Sequence, residues 1–366
     1  MQIPIPSPDP MPLPAPVWLF RSLLLLTFFL HLVVMNFAFG SSVIALISAR
    51  RGRQDEYAAR LSRQLRSMLP VLVAFTITLG VAALLFVQVL YGQLLYSSSV
   101  LLGTPWMAVI PLLIVGYYAF YWSSMRESQA GAWIGCVILL VIGFAFTNNM
   151  TLMLTPERWL AFYRVSTAGF HYNFGDTTVV PRYLHMVLGA TALGGLWLVI
   201  LGVREQESGY KQWLARNGGI CFSGATILNV MVGFWFLFAL PKNVLKVFMG
   251  GSGVAAAILG FSVIAAIGAM VHLMLAVNSK KGSRPAVIGI ACGILAVALM
   301  VLVRDFARAA YLAPYFRPTD LQVAPQWGVI ALFLVLFAGG LVTLGWMIGK
   351  LVGAGRRTMV SGASGS

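Results

Sequence analysis

Charged residues are scarce in this chain: they make up 10% of its 366 residues, and only ten of them are acidic. Soluble globular domains carry about 25% charged residues. Hydrophobic residues make up 59% of the chain and fall in long runs separated by short charged stretches. Runs of this length predict membrane-spanning helices, whereas a membrane barrel needs short alternating strands. The composition therefore argues against a soluble domain and predicts an all-α, polytopic membrane protein.

Cysteine is also rare, which limits the chemistry available to the chain. Cys136, Cys221 and Cys292 all fall inside apolar segments, where a thiol is typically a small buried group. Their spacing matches neither a disulfide framework nor a zinc site, and no C-x-x-C-H motif is present for covalent haem. Residues 1–16, MQIPIPSPDPMPLPAP, lack the basic start of a signal peptide and predict an extended external arm.

The hydrophobic runs predict nine transmembrane helices. Most of the 25 lysines and arginines fall on one side of these spans, and the positive-inside rule places that side in the cytoplasm. The N-terminus is then periplasmic and the C-terminus cytoplasmic, in a bacterial inner membrane. The net charge of +15 reflects this topology and the scarcity of acids, so we expect no nucleic-acid partner. The predicted spans are 18–48, 69–94, 106–123, 131–154, 182–203, 219–240, 253–277, 285–303 and 327–349.

A twenty-residue stretch occurs twice. Residues 31–50 read HLVVMNFAFGSSVIALISAR and residues 185–204 read HMVLGATALGGLWLVILGVR. The register continues beyond this stretch and predicts two tandem four-helix units, in the same orientation, plus a ninth helix. The matched positions at a spacing of 154 or 153 include His31 and His185, Gly40 and Gly194, Arg50 and Arg204, Tyr57 and Tyr210, and Gly80 and Gly233.

The repeat gives a plan for the whole chain. The predicted segments are an arm at 1–16, a first unit at 17–154, an external loop at 155–181, a second unit at 182–303, a second external loop at 304–326, a ninth helix at 327–350 and a cytoplasmic tail at 351–366. Both loops are rich in Tyr, Phe, Arg and Pro. Such residues form either an ordinary interfacial belt or the rim of a quinone site and a docking surface.

Only four histidines occur, and two of them are equivalent in the repeat. His31 and His185 each precede the matched arginine by 19 residues, or about 28 Å of helix, which places both near the external face. His272 lies deeper in the seventh span, and His171 lies in the first external loop. A neutral imidazole inside a helix bundle is a good axial haem ligand. The alternative is that each is a buried polar group bonding across helices.

Arginines near the external ends extend this prediction. Arg182 precedes His185 by about one turn, where a guanidinium can pair with a haem propionate, and Arg21, Arg304 and Arg308 are candidates for the same role. The ten acids all fall outside the spans or at their ends. Because an intramembrane carboxylate is the usual part of a proton path, this absence argues against a proton pump or an ion-coupled transporter.

Residues 181–195, PRYLHMVLGATALGG, resemble the start of the fifth helix in subunit I of cytochrome bd-type quinol oxidases. That family also carries a haem-ligand histidine near the external end of its first helix, as FFLHLVVMNFAFG does around His31. Its spans form two four-helix units plus a ninth helix. The resemblance implies that His185 ligates a low-spin b haem and that His31 ligates a second haem.

Three features of that family are missing here. The third span lacks its glutamates, residues 241–252 replace its long quinol-binding loop, and its Gly-Arg-x-Pro-Trp motif is absent. The resemblance therefore favours a haem-bearing relative and puts oxygen reduction in doubt.

The sequence predicts a b-type cytochrome that holds two or more haems, with His272 or His171 completing the coordination or holding another haem. It would pass electrons between the quinol pool and a periplasmic partner, such as a c-type cytochrome, as part of a hetero-oligomeric complex in contact with lipid. No catalytic residue is assigned. The alternatives are a divergent bd-type terminal oxidase subunit and a transporter or membrane anchor without cofactor.

Overall fold

Helices form nearly all of the computed structural model, which describes residues 6–9, 11–165, 169–278 and 283–363. Within these residues, nine helices are long and apolar enough to cross a membrane. The predicted all-α polytopic fold is thereby confirmed. We number these helices in chain order: α1 Val17–Arg51, α2 Glu56–Leu101, α3 Val109–Arg126, α4 Gln129–Met153, α5 Val179–Arg204, α6 Ser208–Ala239, α7 Gly253–Asn278, α8 Arg284–Leu312 and α9 Trp327–Ala363.

Helix α2 is much longer than the apolar run at 69–94 that predicted it. The backbone leaves helical geometry at Tyr91, and the uninterrupted part before that residue corresponds to about 52 Å, well over the hydrocarbon thickness of a bilayer. It starts early because Asp55 caps it, accepting hydrogen bonds from the backbone nitrogens of Tyr57 at 2.9 Å and Ala58 at 3.2 Å. Polar helix-forming residues then carry the helix into the apolar segment, so α2 projects beyond the membrane.

Helix α8 also continues past its predicted end. The segment that begins at Arg304 was expected to be an external loop, but α8 runs to Leu312. Alanine and arginine favour helix there, and Asp305 pairs with Arg308 one turn later. Residues 351–363, expected to be a tail, likewise continue α9 because no proline interrupts them. Residues 364–366 of that predicted tail lie outside the described residues.

The two halves of the bundle pack alike. Helix α1 lies along α2 and α5 lies along α6, while α3 and α4 flank the first pair and α7 and α8 flank the second. The halves meet where α1 packs against α5, with α8 against α1 and α4 against α5. Helix α9 packs loosely on the rest, since only 6% of its apolar window is buried. This arrangement agrees with two tandem units and a ninth helix.

We call the end of the bundle that holds residues 155–165, 169–178 and 313–326 the loop end, and the opposite end, with Arg50, Arg126 and Arg204, the basic end. At the loop end the N-terminal arm pairs with the second loop: Leu13 donates to the carbonyl of Gln322 at 2.8 Å and accepts from Ala324 at 2.9 Å. The largest apolar cluster also lies there and joins both halves. Residues 1–5 and 10 of the predicted arm lie outside the described residues.

Candidate functional site

His31 is held by the second helix of its own half. Its Nδ1 lies 3.0 Å from the carbonyl oxygen of Thr76 on α2. The imidazole also lies close to Gly80, where an added Cβ would be 2.8 Å from the ring carbon Cε1. Any side chain at position 80 would therefore displace the imidazole, so the glycine is required by this close approach.

His185 makes the same contacts in the other half. Its Nδ1 lies 3.3 Å from the carbonyl oxygen of Asn229 on α6, and a Cβ at Gly233 would lie 3.3 Å from the imidazole. The histidines differ by 154 in number (185 − 31), and the residues that supply the carbonyl oxygens (229 − 76) and the glycines (233 − 80) each differ by 153. One imidazole environment thus occurs twice, at equivalent places of the repeat.

These hydrogen bonds determine which nitrogen is available for chemistry. A carbonyl oxygen only accepts, so Nδ1 of each neutral imidazole carries the proton and Nε2 keeps its lone pair. Metal-binding histidines commonly show this pattern, in which the second nitrogen donates to a carbonyl and orients the ring. Both imidazoles are partly buried. The geometry is therefore suited to two iron ligands, and it equally satisfies the alternative of an interhelical hydrogen bond.

Two arginines lie next to these histidines at the loop end. The guanidinium carbon of Arg304 lies 4.2 Å from the ring centre of Phe28, whose ring is 6.4 Å from that of His31. In the other half Arg182 lies 5.0 Å from the ring centre of Phe236, and that ring is 6.3 Å from His185. Each imidazole is therefore joined to one guanidinium through one phenyl ring, and both guanidinium groups come from the second half, on α5 and α8.

The acidic residues at the loop end leave these two arginines without a counterion. Asp305 is buried and binds Arg21, whose Nε lies 2.7 Å from its Oδ2, together with Arg308. Among the described residues, no carboxylate lies within 4 Å of Arg182 or Arg304. Both arginines are partly buried. Arg182 is hydrogen-bonded with Tyr311 and attracted by Asp176, whereas its Nε has no hydrogen-bond partner.

Buried cations are normally paired, because an isolated charge in a low-dielectric interior is very costly. Arg182 and Arg304 are therefore candidates to pair with an anionic group at the loop end. The carboxylates of haem b are such groups, and haem iron accepts imidazole nitrogen. Of the residues that the structure describes, no three His, Cys, Asp or Glu side chains are grouped to hold a metal by themselves.

His272 is not brought together with His185. Its Nδ1 lies 2.8 Å from the carbonyl oxygen of Gly268 in the preceding turn of α7. The next residue, Leu273, lies against Gly219 of α6. On the same helix, Gly233 contacts His185, and the fourteen residues between the two glycines correspond to about 21 Å. A haem shared by His272 and His185 is therefore not supported. Whether His272 binds a haem of its own stays a prediction.

His171 lies in the loop that follows the short helix Trp159–Val165. Its ring packs edge-on against Phe162, with the ring centres 5.4 Å apart. This places it at the loop end, as expected, but against the short helix. Its assignment as a ligand also stays a prediction.

Sequence reasoning missed the aromatic residues and the buried carboxylate of this site. Phe28 and Arg182 occupy equivalent positions (182 − 28 = 154), so the repeat could have pointed to Phe28. No sequence pattern pointed to Phe236 or Tyr311, which both contact Arg182. Asp305 was expected in an external loop, and only the extension of α8 brings it into the bundle at 4% exposure. Its spacing of three from Arg308 was the available sign.

Comparison with known proteins identifies no relative, since no family model matches the chain and no curated protein matches it significantly.

Proposed function

We propose that this multi-pass membrane protein is a b-type cytochrome that transfers electrons between the quinol pool and a periplasmic redox partner, such as a c-type cytochrome. One observation carries the proposal. Two repeat-equivalent histidines each present Nε2, at the end of the bundle where Arg182 and Arg304 lack counterions among the described residues.

Each group of the site has a distinct role under this proposal. His31 and His185 bind iron through Nε2, and the carbonyl oxygens of Thr76 and Asn229 hold the rings in place. Arg182 and Arg304 neutralise the carboxylates of the cofactor. Phe28 and Phe236 cover the guanidinium groups and keep water away from them. Haem b, when bound, supplies a one-electron couple.

The positions of the histidines favour two haems. His31 bonds to α2 and His185 bonds to α6, whereas α1 and α5 meet each other at Gly40 and Gly194. Each imidazole therefore faces away from the contact between the two halves and into its own half. One haem per half, which would be held by His31 in the first half and by His185 in the second, is the simplest arrangement.

The loop end faces the periplasm in this proposal, because the basic end would lie in the cytoplasm of a bacterial cell. Exposed aromatic residues, among them Tyr163, Phe170 and Phe174, would then lie at the periplasmic surface of the inner membrane. They would form the quinol pocket and the docking surface for the redox partner. Haem at this end would give short electron-transfer distances to that partner.

The test is the absorption spectrum of the purified protein, with haem counted per chain as its pyridine haemochrome. We expect a Soret band and two haems, of which His31→Ala and His185→Ala each remove one. Leu30→Ala and Leu184→Ala are matched controls, since these exposed residues directly precede the histidines and should leave the haem content unchanged.

Two results would overturn or redirect the proposal. If the protein is made with adequate haem supply and shows no Soret band, the proposed redox function is wrong. The alternative is then a transporter or a membrane anchor without cofactor. A spectrum of the reduced protein that shifts on addition of carbon monoxide reveals an open iron position, as a terminal oxidase requires. A six-coordinate electron carrier gives no such shift.

A further inference from the structure

A second charged site lies at the basic end, far along the bundle from the histidines. It is a pocket of about 410 Å³ between the start of α2 and the end of α3. A water molecule occupies roughly 30 Å³ in the liquid, so the pocket holds far more than one ion. Its lining is almost entirely polar: Arg60, Arg63, Gln64, Arg66, Ser67, Ser123, Ser124 and Glu127.

The arginines of the pocket differ in their partners. Arg60 is neutralised by Glu205 at 3.0 Å and by Glu207. Arg66 is buried and donates to backbone carbonyls, those of Ser62 and Glu127. Within the described part of the chain, no carboxylate lies within 4 Å of the Arg63 guanidinium. Three arginines thus line a pocket whose only carboxylate, that of the exposed Glu127, forms no ion pair there.

A buried hydroxyl points to a missing ligand in the same pocket. Ser123 is 1% exposed, and its Oγ has no hydrogen-bond partner. Buried polar groups are nearly always hydrogen-bonded, because an unpaired one loses its hydrogen bonds to water and forms none in the protein. A bound oxyanion would accept a hydrogen bond from the Ser123 hydroxyl and charge-assisted hydrogen bonds from the arginines.

The position of the pocket identifies the source of the oxyanion. It lies where the apolar runs of both helices stop, after residue 122 on α3 and before residue 69 on α2. Next to it, Val71 and Phe75 on α2 and Tyr121 and Trp122 on α3 expose their side chains outward. Aromatic residues at this level mark the headgroup region of a bilayer. Basic pockets between transmembrane helices at that level bind anionic lipid headgroups.

We infer that this pocket binds the phosphate of an anionic phospholipid, such as phosphatidylglycerol, with its acyl chains lying along the outer faces of α2 and α3. The site belongs to the first half only. Arg63 has an equivalent in Arg216, but Trp213 and Gly219 replace the other two arginines (213 − 60 and 219 − 66 are both 153). The inference is independent of haem, and either can fail without the other.

The experiment measures lipid retention by the delipidated full chain in detergent, using native mass spectrometry and thermal unfolding. The additives are phosphatidylglycerol, phosphatidylcholine and inorganic phosphate. We expect one tightly held phosphatidylglycerol per chain that raises the melting temperature, and little effect of the other two. Arg63→Ala and Ser123→Ala should each weaken binding about tenfold, the loss expected for one charge-assisted or buried hydrogen bond.

Arg216→Ala is the matched control, because it removes the same charge from the exposed equivalent position on α6 and should leave lipid binding unchanged. Both test substitutions are mild, since Arg63 is exposed and Ser123→Ala removes one unpartnered oxygen. Equal retention of phosphatidylcholine would show a nonspecific lipid contact and overturn the inference. Equal stabilisation by inorganic phosphate would identify a free-anion site, and unchanged binding by both variants would place the lipid elsewhere.

Discussion

Gly40 and Gly194 pack backbone against backbone where α1 crosses α5, although they are the same position in the two copies of the repeat. A Cβ at Gly40 would lie 2.6 Å from the Cα of Gly194, and a Cβ at Gly194 would lie 2.7 Å from the Cα of Gly40. Tyr57 and Tyr210, another equivalent pair, have ring centres 5.4 Å apart. In each of these two pairs a residue contacts its own equivalent in the other half. Such contacts lie on a pseudo-two-fold axis, the symmetry that relates parallel repeats.

Gly40→Val should strongly destabilise the protein. The added side-chain atoms would collide with backbone atoms of α5. Backbone atoms cannot change rotamer as a side chain can, so the two helices would have to move apart. We expect a loss of about 2 kcal/mol or more, read as a lower melting temperature by circular dichroism. Gly224→Ala on α6 is the control, because a Cβ there meets nothing within 4 Å. Equal melting of both variants would contradict the close contact.

If the protein binds haem as we propose, Arg304→Gln and Arg182→Gln should lower its midpoint potential. Each removes a positive charge that favours the reduced form, which carries one more negative charge. An effect on the order of 1 kcal/mol corresponds to tens of millivolts, measured by redox titration of the Soret band. Arg164→Gln, on the short helix of the first loop, is the control. Unchanged potentials in both test variants would mean that these arginines do not serve the cofactor.

Asp305→Asn should destabilise the loop end. The carboxylate binds both Arg21 and Arg308, and its loss leaves Arg308, which is 7% exposed, without an acid. Breaking a buried ion pair from one side costs about 3 kcal/mol or more. Thermal unfolding measures the loss, and Glu56→Gln, at the exposed start of α2, is the control. A melting temperature equal to that of the control would show that the Asp305 cluster contributes nothing to stability.

Tyr315 should titrate unusually late. Its hydroxyl donates to Oε2 of Glu157 at 2.8 Å, and burial together with this hydrogen bond raises the pKa of Tyr315 to about 12. Because the folded pKa exceeds the ordinary value of about 10, its contribution to stability is full below pH 10. It is lost as the pH rises from about 10 to about 12. The contribution is small, below about 1 kcal/mol, because the pair is partly solvated.

The measurement for Tyr315 is the tyrosinate absorbance of the wild type minus that of Tyr315→Phe as a function of pH. The difference should rise near pH 12, and Glu157→Gln should shift it to lower pH by removing the negative charge of the acceptor. Tyr163→Phe, in an exposed tyrosine of the first loop, is the control. A difference curve centred near pH 10 would show that Tyr315 does not hold this hydrogen bond.

Much of the fold follows from local properties of the chain. Hydrophobic runs long enough to cross a bilayer must be helical, since lipid offers no partner for backbone groups. All nine spans could therefore be predicted. Their ends could not, because the extensions of α2 and α8 depend on the Asp55 cap and the pairing of Asp305 with Arg308, and such polar stretches resemble loops in a hydropathy profile.

The sequence by itself determined the class of the protein, the repeat and the equivalence of His31 with His185. Only the tertiary structure decided that these imidazoles bond to Thr76 and Asn229 on neighbouring helices, and that Asp305 neutralises Arg21 and Arg308 but not Arg182 or Arg304. The physical reason is that hydropathy and repeats are properties of one segment at a time. Hydrogen-bond partners and charge compensation depend on which helices pack together.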